Sequence, residues 1–419
     1  MIGKNNSVLT RIQQMSPNVF NVGCVCHLAN ICAQKAIKTL PLPINDFLVD
    51  IYYHFHHSSN RREQYQQLQE FTDTDPMKIL KHCSTRWLSL ERCVQRTLQR
   101  WPALKSYFQS HAECEKPGRI NRCMEVLISD EMWLYFAFLE FVLPILNDFN
   151  VMFQAGESMV GFLHTEMVRL LHKLLGKFVT TKTITVQQDI TKVDFRCTDN
   201  QQDDSRIAVG LTARGYLSDN EDLPPETVRK FFSSVREFYC TIAETMIKKF
   251  PFQDKVLQGI GFLNPNTKDK ISPEDVVSLS DRFCSLSQQE KQQLEDETSD
   301  YILTPLSDLP TFDADTTLNQ FWNTMGNLKL PSGQKQFQLL HQLSKIVLTL
   351  PHSNADTERT FSMLKKIQTD SRESLADKTI HSLLSVKINN PEECHQYKPE
   401  PELVRAAKSA CALYKQSCS

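Results

Sequence analysis

Three clusters along the chain have residue types that can do chemistry. The first is Cys24-Val25-Cys26-His27, with Cys32 nearby. A zinc site needs paired sulfur and nitrogen ligands, typically with about two to four residues inside each pair. Cys24 and His27 have that spacing, but the second pair would have to come from His82 and Cys83, or from Cys93, at no standard offset. The other reading is burial, because an unmetallated cysteine packs as a small hydrophobe. Burial is the expectation adopted, with no metal and no cofactor. The second cluster is His54-Phe55-His56-His57. A helical metalloprotease site needs a glutamate after its first histidine, and none stands there, so a solvated helix end is expected.

The third cluster is basic. Between Lys78 and Lys105 stand Lys78, Lys81, Arg86, Arg92, Arg96, Arg100 and Lys105 against one acid, Glu91, a local charge of +6. Arg92, Arg96 and Arg100 recur every four residues, which places them along one helical face opposite Leu90, Val94 and Leu98. Trp87 precedes that helix. A guanidinium row suits phosphates, and an exposed aromatic ring can stack on an unpaired base. The same pattern also fits a solvated helix face with Trp87 as a core anchor. Glu358-Arg359 lies in the first turns of a helix, where an acid sits favourably near the positive end. No Gly-x-Ser-x-Gly elbow, Walker loop or Gly-x-Gly-x-x-Gly run occurs anywhere in the sequence.

The elements that must position these residues read as mainly helical. The 419 residues are 41% hydrophobic and 23% charged, enough for a core and a wet surface in two or three packed units. The formal net charge of −2 gives no global basicity, so a nucleic-acid role would have to come from a local patch. Glycine is scarce, 12 against 19 prolines, which disfavours a fold that cradles nucleotide phosphates. The 13 cysteines are odd in number and irregularly spaced, as expected of free thiols in the nucleus or cytoplasm. The longest apolar stretch, Trp133 to Leu146, is interrupted by Glu140 and Pro144, and no membrane role is expected.

Residues 19–26 are rich in β-branched and aromatic side chains and read as a short strand. Helical periodicity then predicts helices over 27–39, 45–55, 61–71, 88–101, 129–153, 159–178, 226–250 and 273–294. Residues 180–225 lose the pattern and read as a loop or partly disordered insert, and 290–315 as an acidic surface linker. Three helices close the chain. The first, 335–348, turns Phe337, Leu340, Leu343 and Val347 inward. The second opens near Ser353 with a capping-box pattern to Asp356, and the third, 377–388, carries Ile380, Leu383, Leu384 and Ile388 on one face. Apolar faces wider than one neighbour needs suggest docking against another molecule.

Ser353-Asn354-Ala355-Asp356-Thr357-Glu358-Arg359-Thr360-Phe361-Ser362, followed by Arg372 and Leu375, resembles the C-terminal signature of the hAT superfamily of DNA transposases and their domesticated descendants. Cys24-x-x-His27, Cys26-His27-Leu28-Ala29-Asn30 and Ser84-Thr85-Arg86-Trp87-Leu88 resemble further family motifs in the family's order, and Lys248-Lys249-Phe250-Pro251-Phe252 is a weaker echo.

The resemblance implies an incomplete ribonuclease-H-like α/β core with a large helical insertion and C-terminal dimerisation helices. The corresponding boundaries are 1–33 for the core remnant, 34–330 for the insertion, 331–392 for the dimerisation region and 393–419 for a tail. By the same resemblance, Glu358 stands at the position of the catalytic glutamate, Trp87 at that of a tryptophan stacking on a flipped base, and Cys24 and His27 at a pair near the active site. The family's remaining carboxylates lie upstream of the segment matching residues 1–7, and one glutamate cannot hold two divalent ions. The expectation is therefore a catalytically inactive, nuclear, transposase-derived protein, not an enzyme, acting as a homodimer or with related hAT-derived proteins. Phe337, Leu340, Leu343, Phe361, Leu364, Ile380, Leu383 and Leu384 would form the dimer surface, and Arg86, Trp87, Arg92, Arg96 and Arg100 would contact DNA. The alternatives are a nucleic-acid-binding regulator, or a fragment of a longer metal-dependent transposase.

Overall fold

The computed structural model describes residues 7–16, 19–41, 43–72, 78–82, 89–112, 118–390 and 395–417. Nearly all of them are in helices or short connections. No strand forms among the described residues, only two isolated bridges, Val179 with Gln201 and Lys329 with Lys335. The chain divides into two compact units, one ending at Ser353 and the other beginning at Asn354.

The first unit is built around the Asp130–Met152 helix. Ser129 starts it by accepting the Met132 N–H, with Asp130 and Glu131 in the first turn. Its apolar residues occur on all sides, so the helix must be surrounded. It is: Val25–Ile37, Ser89–Gln99, Leu211–Asp219 and Pro225–Lys249 all pack on it. Phe136 meets the rings of Phe47 at 5.5 Å and Trp101 at 5.2 Å, and Phe138 meets Phe238 at 5.1 Å. Each fully buried ring of this size contributes about 1.5–3 kcal/mol through apolar burial. The helix is long and apolar enough to cross a membrane by length and composition, yet most of it is buried inside the protein.

Several expectations change. Residues 19–24 are not a strand, and a helix begins at Val25 instead. The described part of 1–33 forms the helices Val8–Met15 and Val25–Ile37, so it lends no support to a ribonuclease-H-like sheet. Residues 180–225 are an ordered cover, not a disordered insert. They bury Ile190, Val193, Phe195, Ile207, Val209 and Ala213, and contain the helices Thr181–Val186 and Leu211–Asp219. Gly210 makes the bend into the second of these at φ +89°, with its α-carbon side pressed on Phe141, where a Cβ would lie 2.6 Å from Phe141 Cβ. The acidic stretch after 288 is the Gln288–Leu303 helix, which buries Leu294, Glu297, Thr298 and Tyr301. The first compact unit runs to Ser353, so Gln338–Val347 packs within it.

The second unit holds the helices Ala355–Ile367, Asp377–Asn389 and Pro401–Ser417. The first two pack against each other. Asn354, not Ser353, occupies the position before the first of them.

Candidate functional site

A cleft of about 450 Å³ opens in the first unit beside His27. Helical spacing builds both walls. Ala29, Asn30, Ala33, Gln34 and Ile37 recur along one side of Val25–Ile37, and Leu143, Leu146, Asn147 and Asn150 along one side of Asp130–Met152. Glu91, from the first turn of Ser89–Gln99, closes one end, and His82, Asn45 and Lys38 complete the lining.

The polar groups are tied to one another. Glu91 accepts from Asn147 Nδ2 through Oε2 and from Gln95 Nε2 through Oε1 at 3.1 Å. His82 Nδ1 lies 3.3 Å from Ser89 Oγ, and burial lowers the pKa of that imidazole. Asn150 is 2% exposed, its main-chain oxygen receives the Cys26 thiol at 3.8 Å, and its Oδ1 has no donor among the described residues. Such orphans are uncommon in folded proteins.

Cys24 stands half-buried at the N-cap position of Val25–Ile37, and His27 is exposed one turn later at the cleft. No group of three or more metal-ligating side chains occurs among the described residues. Cys26 and Cys32 are buried, and burial pushes the Cys32 thiol up to about 12. His54 departs from the expected solvated end. It is 2% exposed, its Nε2 lies 3.1 Å from Tyr107 Oη, and burial lowers its pKa to about 4, with Arg61, Arg119 and His111 acting in the same direction.

The arginine row is not one open face. Arg92 is exposed, Arg96 donates to the Lys78 carbonyl at 2.8 Å, and Arg100 is 2% exposed and donates to the Arg96 carbonyl at 3.0 Å. The helix ends at Gln99, so Arg100 turns out of register into the start of Trp101–His111. Arg86 and Trp87, with the rest of their motif, lie outside the described residues.

The expected association residues also divide. Phe337, Leu340 and Leu343 are buried within the first unit's own core, because their helix lies against Gln288–Leu303 and Leu318–Met325; they form no free surface. In the second unit Phe361 and Leu383 are exposed, while Leu364, Ile380 and Leu384 are half-buried. Val386 and Ile388 are exposed as well; Val386 carried no helical-face signal in the sequence reading. Glu358 is exposed in the first turn of Ala355–Ile367. Its neighbour Arg359 pairs with Asp356 at 3.0 Å.

Asn147, Asn150 and Glu91 were not singled out by sequence reasoning. The available signal was two asparagines, about a turn apart, near the end of a strongly apolar helix.

Residues 306–389 match the family model of the hAT family C-terminal dimerisation region. That region takes in the last part of the first unit and the first two helices of the second. On this match the chain carries the C-terminal dimerisation region of the hAT family.

Proposed function

We propose that the protein is catalytically inactive and acts in the nucleus by self-association through the helices Ala355–Ile367 and Asp377–Asn389. The observation that carries this reading is the exposure of Phe361 (51%), Leu383 (42%), Val386 (66%) and Ile388 (53%) within the region matched to a dimerisation family. Neither helix buries more than Ala355. Large side chains left open on two adjacent helices favour a partner that removes them from water. The partner is a second copy or a related hAT-derived chain.

Light scattering on the full chain tests it. A dimer is expected, becoming a monomer in the double variant Phe361→Glu, Leu383→Glu with an unchanged thermal melt. A monomer at high concentration overturns the reading. Magnesium-dependent DNA cleavage that Glu358→Gln abolishes would overturn the inactivity.

A second reading, DNA binding by the basic segment, is favoured by the exposure of Lys78, Lys81 and Arg92. It would show as affinity that falls steeply with salt; no binding at low salt ends it.

A further inference from the structure

The His54-Phe55-His56-His57 cluster and the cations at Lys78 and Lys81 meet on one face of the first unit, which self-association does not use. The Ile44–His56 helix aligns the rings there. Tyr52 and His56, four residues apart, stack at 4.8 Å and 23°. Tyr53 and His57 stand near parallel at 6.1 Å and 15°, and the rings of Tyr52 and Tyr53 meet edge to face at 5.3 Å. His54 and Phe55 are buried, whereas His56 and His57 are exposed, Tyr53 is 37% exposed and Tyr52 is half-buried.

Cations border these rings. Lys81 Nζ lies 5.8 Å from the Tyr52 ring centre and 5.9 Å from that of Tyr53. Arg62 donates to the His56 carbonyl at 3.2 Å, which holds its guanidinium at the end of the ring row. Tyr52, His56, Arg62 and Lys78 line one open cleft of about 930 Å³, so rings and cations share an accessible space. Glu63 also lines it, yet none of Arg62, Lys78 and Lys81 is ion-paired with a described residue. Ring faces beside unpaired cations suit a ligand that alternates planar bases with phosphates. A duplex keeps its base faces stacked inside, so only an unpaired strand can use the rings.

We infer that this face binds an unpaired nucleic-acid strand, with Tyr53 and His56 stacking on bases and Arg62, Lys78 and Lys81 meeting the phosphates. The inference rests on the second reading above, DNA binding by the basic segment, and specifies the strand state and the contacts. DNA and RNA offer the same base faces and phosphates.

Fluorescence anisotropy on the full chain at low salt tests it, with a short mixed-sequence DNA strand, its RNA equivalent, an abasic strand and the DNA duplex as probes. The intact strand is expected to bind about tenfold more tightly than the duplex or the abasic strand. His56→Ala and Tyr53→Ala, both at exposed positions, should each weaken the intact strand by about fivefold or more and leave the duplex unchanged. Tyr53→Phe, which keeps the ring, should bind as the wild type does. Lys81→Ala should weaken every probe and reduce the salt slope by about 1. Tighter binding of the DNA or of the RNA strand identifies the polymer, and either supports the inference. A duplex or abasic strand that binds as tightly as the intact strand overturns it and leaves the basic-segment reading standing. So does a strand preference that survives both ring variants. Binding of no probe at low salt ends both.

Discussion

The carboxylate of Glu297 holds the backbone of Leu340, across more than forty residues of sequence and between two helices. Glu297 Oε2 accepts the N–H of Leu340 at 2.9 Å and that of Leu339 at 2.8 Å, while Oε1 accepts from Gln293 Nε2 at 2.9 Å. The first N–H groups of any helix lack intrahelical partners, and here another helix supplies them. Burial raises the Glu297 pKa, against the pull of the Leu340, Gln293 and Leu339 donors. The C-terminal end of the same Gln288–Leu303 helix is satisfied by Lys268, whose Nζ donates to the carbonyls of Tyr301 at 2.8 Å and Thr304 at 2.6 Å. The matched family region is thus fastened into the first unit at its Gln338–Val347 helix.

Glu297→Leu should cost about 2–3 kcal/mol in urea unfolding, because two buried N–H groups lose their acceptor. Glu297→Gln keeps an acceptor oxygen and should cost less. Because the folded pKa is raised, the wild type's stability from this group is fully present below the unfolded carboxylate pKa. It is lost as pH rises through the folded value, and the Gln variant should lack that slope.

His54 acts with the opposite sign. Its folded pKa is lowered from 6.5 to about 4, so the unfolded chain binds more protons in that window. The stability is present above the unfolded value and drains as pH falls, by about 3 kcal/mol in total. Urea midpoints between pH 7 and pH 4 should show this loss in the wild type. In His54→Gln the slope over that range should be shallower; equal slopes would refute the assignment.

Leu343 and Phe361 should separate stability from association. Leu343→Ala empties core volume and should destabilise by about 2–5 kcal/mol. Phe361→Ala, at 51% exposure, should leave the unfolding midpoint nearly unchanged and weaken the dimer. Denaturation and light scattering on the two variants read the two effects independently.

Arg92 and Arg100 should behave unlike each other despite their shared spacing. Arg100→Ala removes a buried side chain and should lower the melting temperature. Arg92→Ala should be neutral for folding. If the chain binds DNA, its salt slope should fall by about 1.

Short-range pattern made much of the molecule legible. The Asp130–Met152 helix follows from its long, strongly apolar run and the Ser129 start, and the Asp377–Asn389 helix from its apolar spacing. The motif around Glu358 located the C-terminal region. Periodicity also misled. Residues 180–225 lack it because they pack through scattered single anchors such as Phe195 and Val209, with no repeating face. The β-rich composition of 19–26 yielded to helix from Val25 on, because burial of Cys26, Ala29 and Cys32 on one side outweighs local preference.

The amino-acid order by itself therefore determined a helical chain and the family likeness of its C-terminal region, since both reside in neighbouring residues: periodicity, caps and a contiguous motif. Only the tertiary structure decided which apolar faces were covered and which polar groups met. Leu343 and Phe361 look alike in sequence, yet one is buried in the first unit and the other open in the second. Arg100 shares its spacing with Arg92 but is turned inward by a helix break. Glu91 and Asn147, far apart in sequence, meet because their helices cross, as do Glu297 and Leu340. Such pairings depend on long-range packing, which no local pattern encodes.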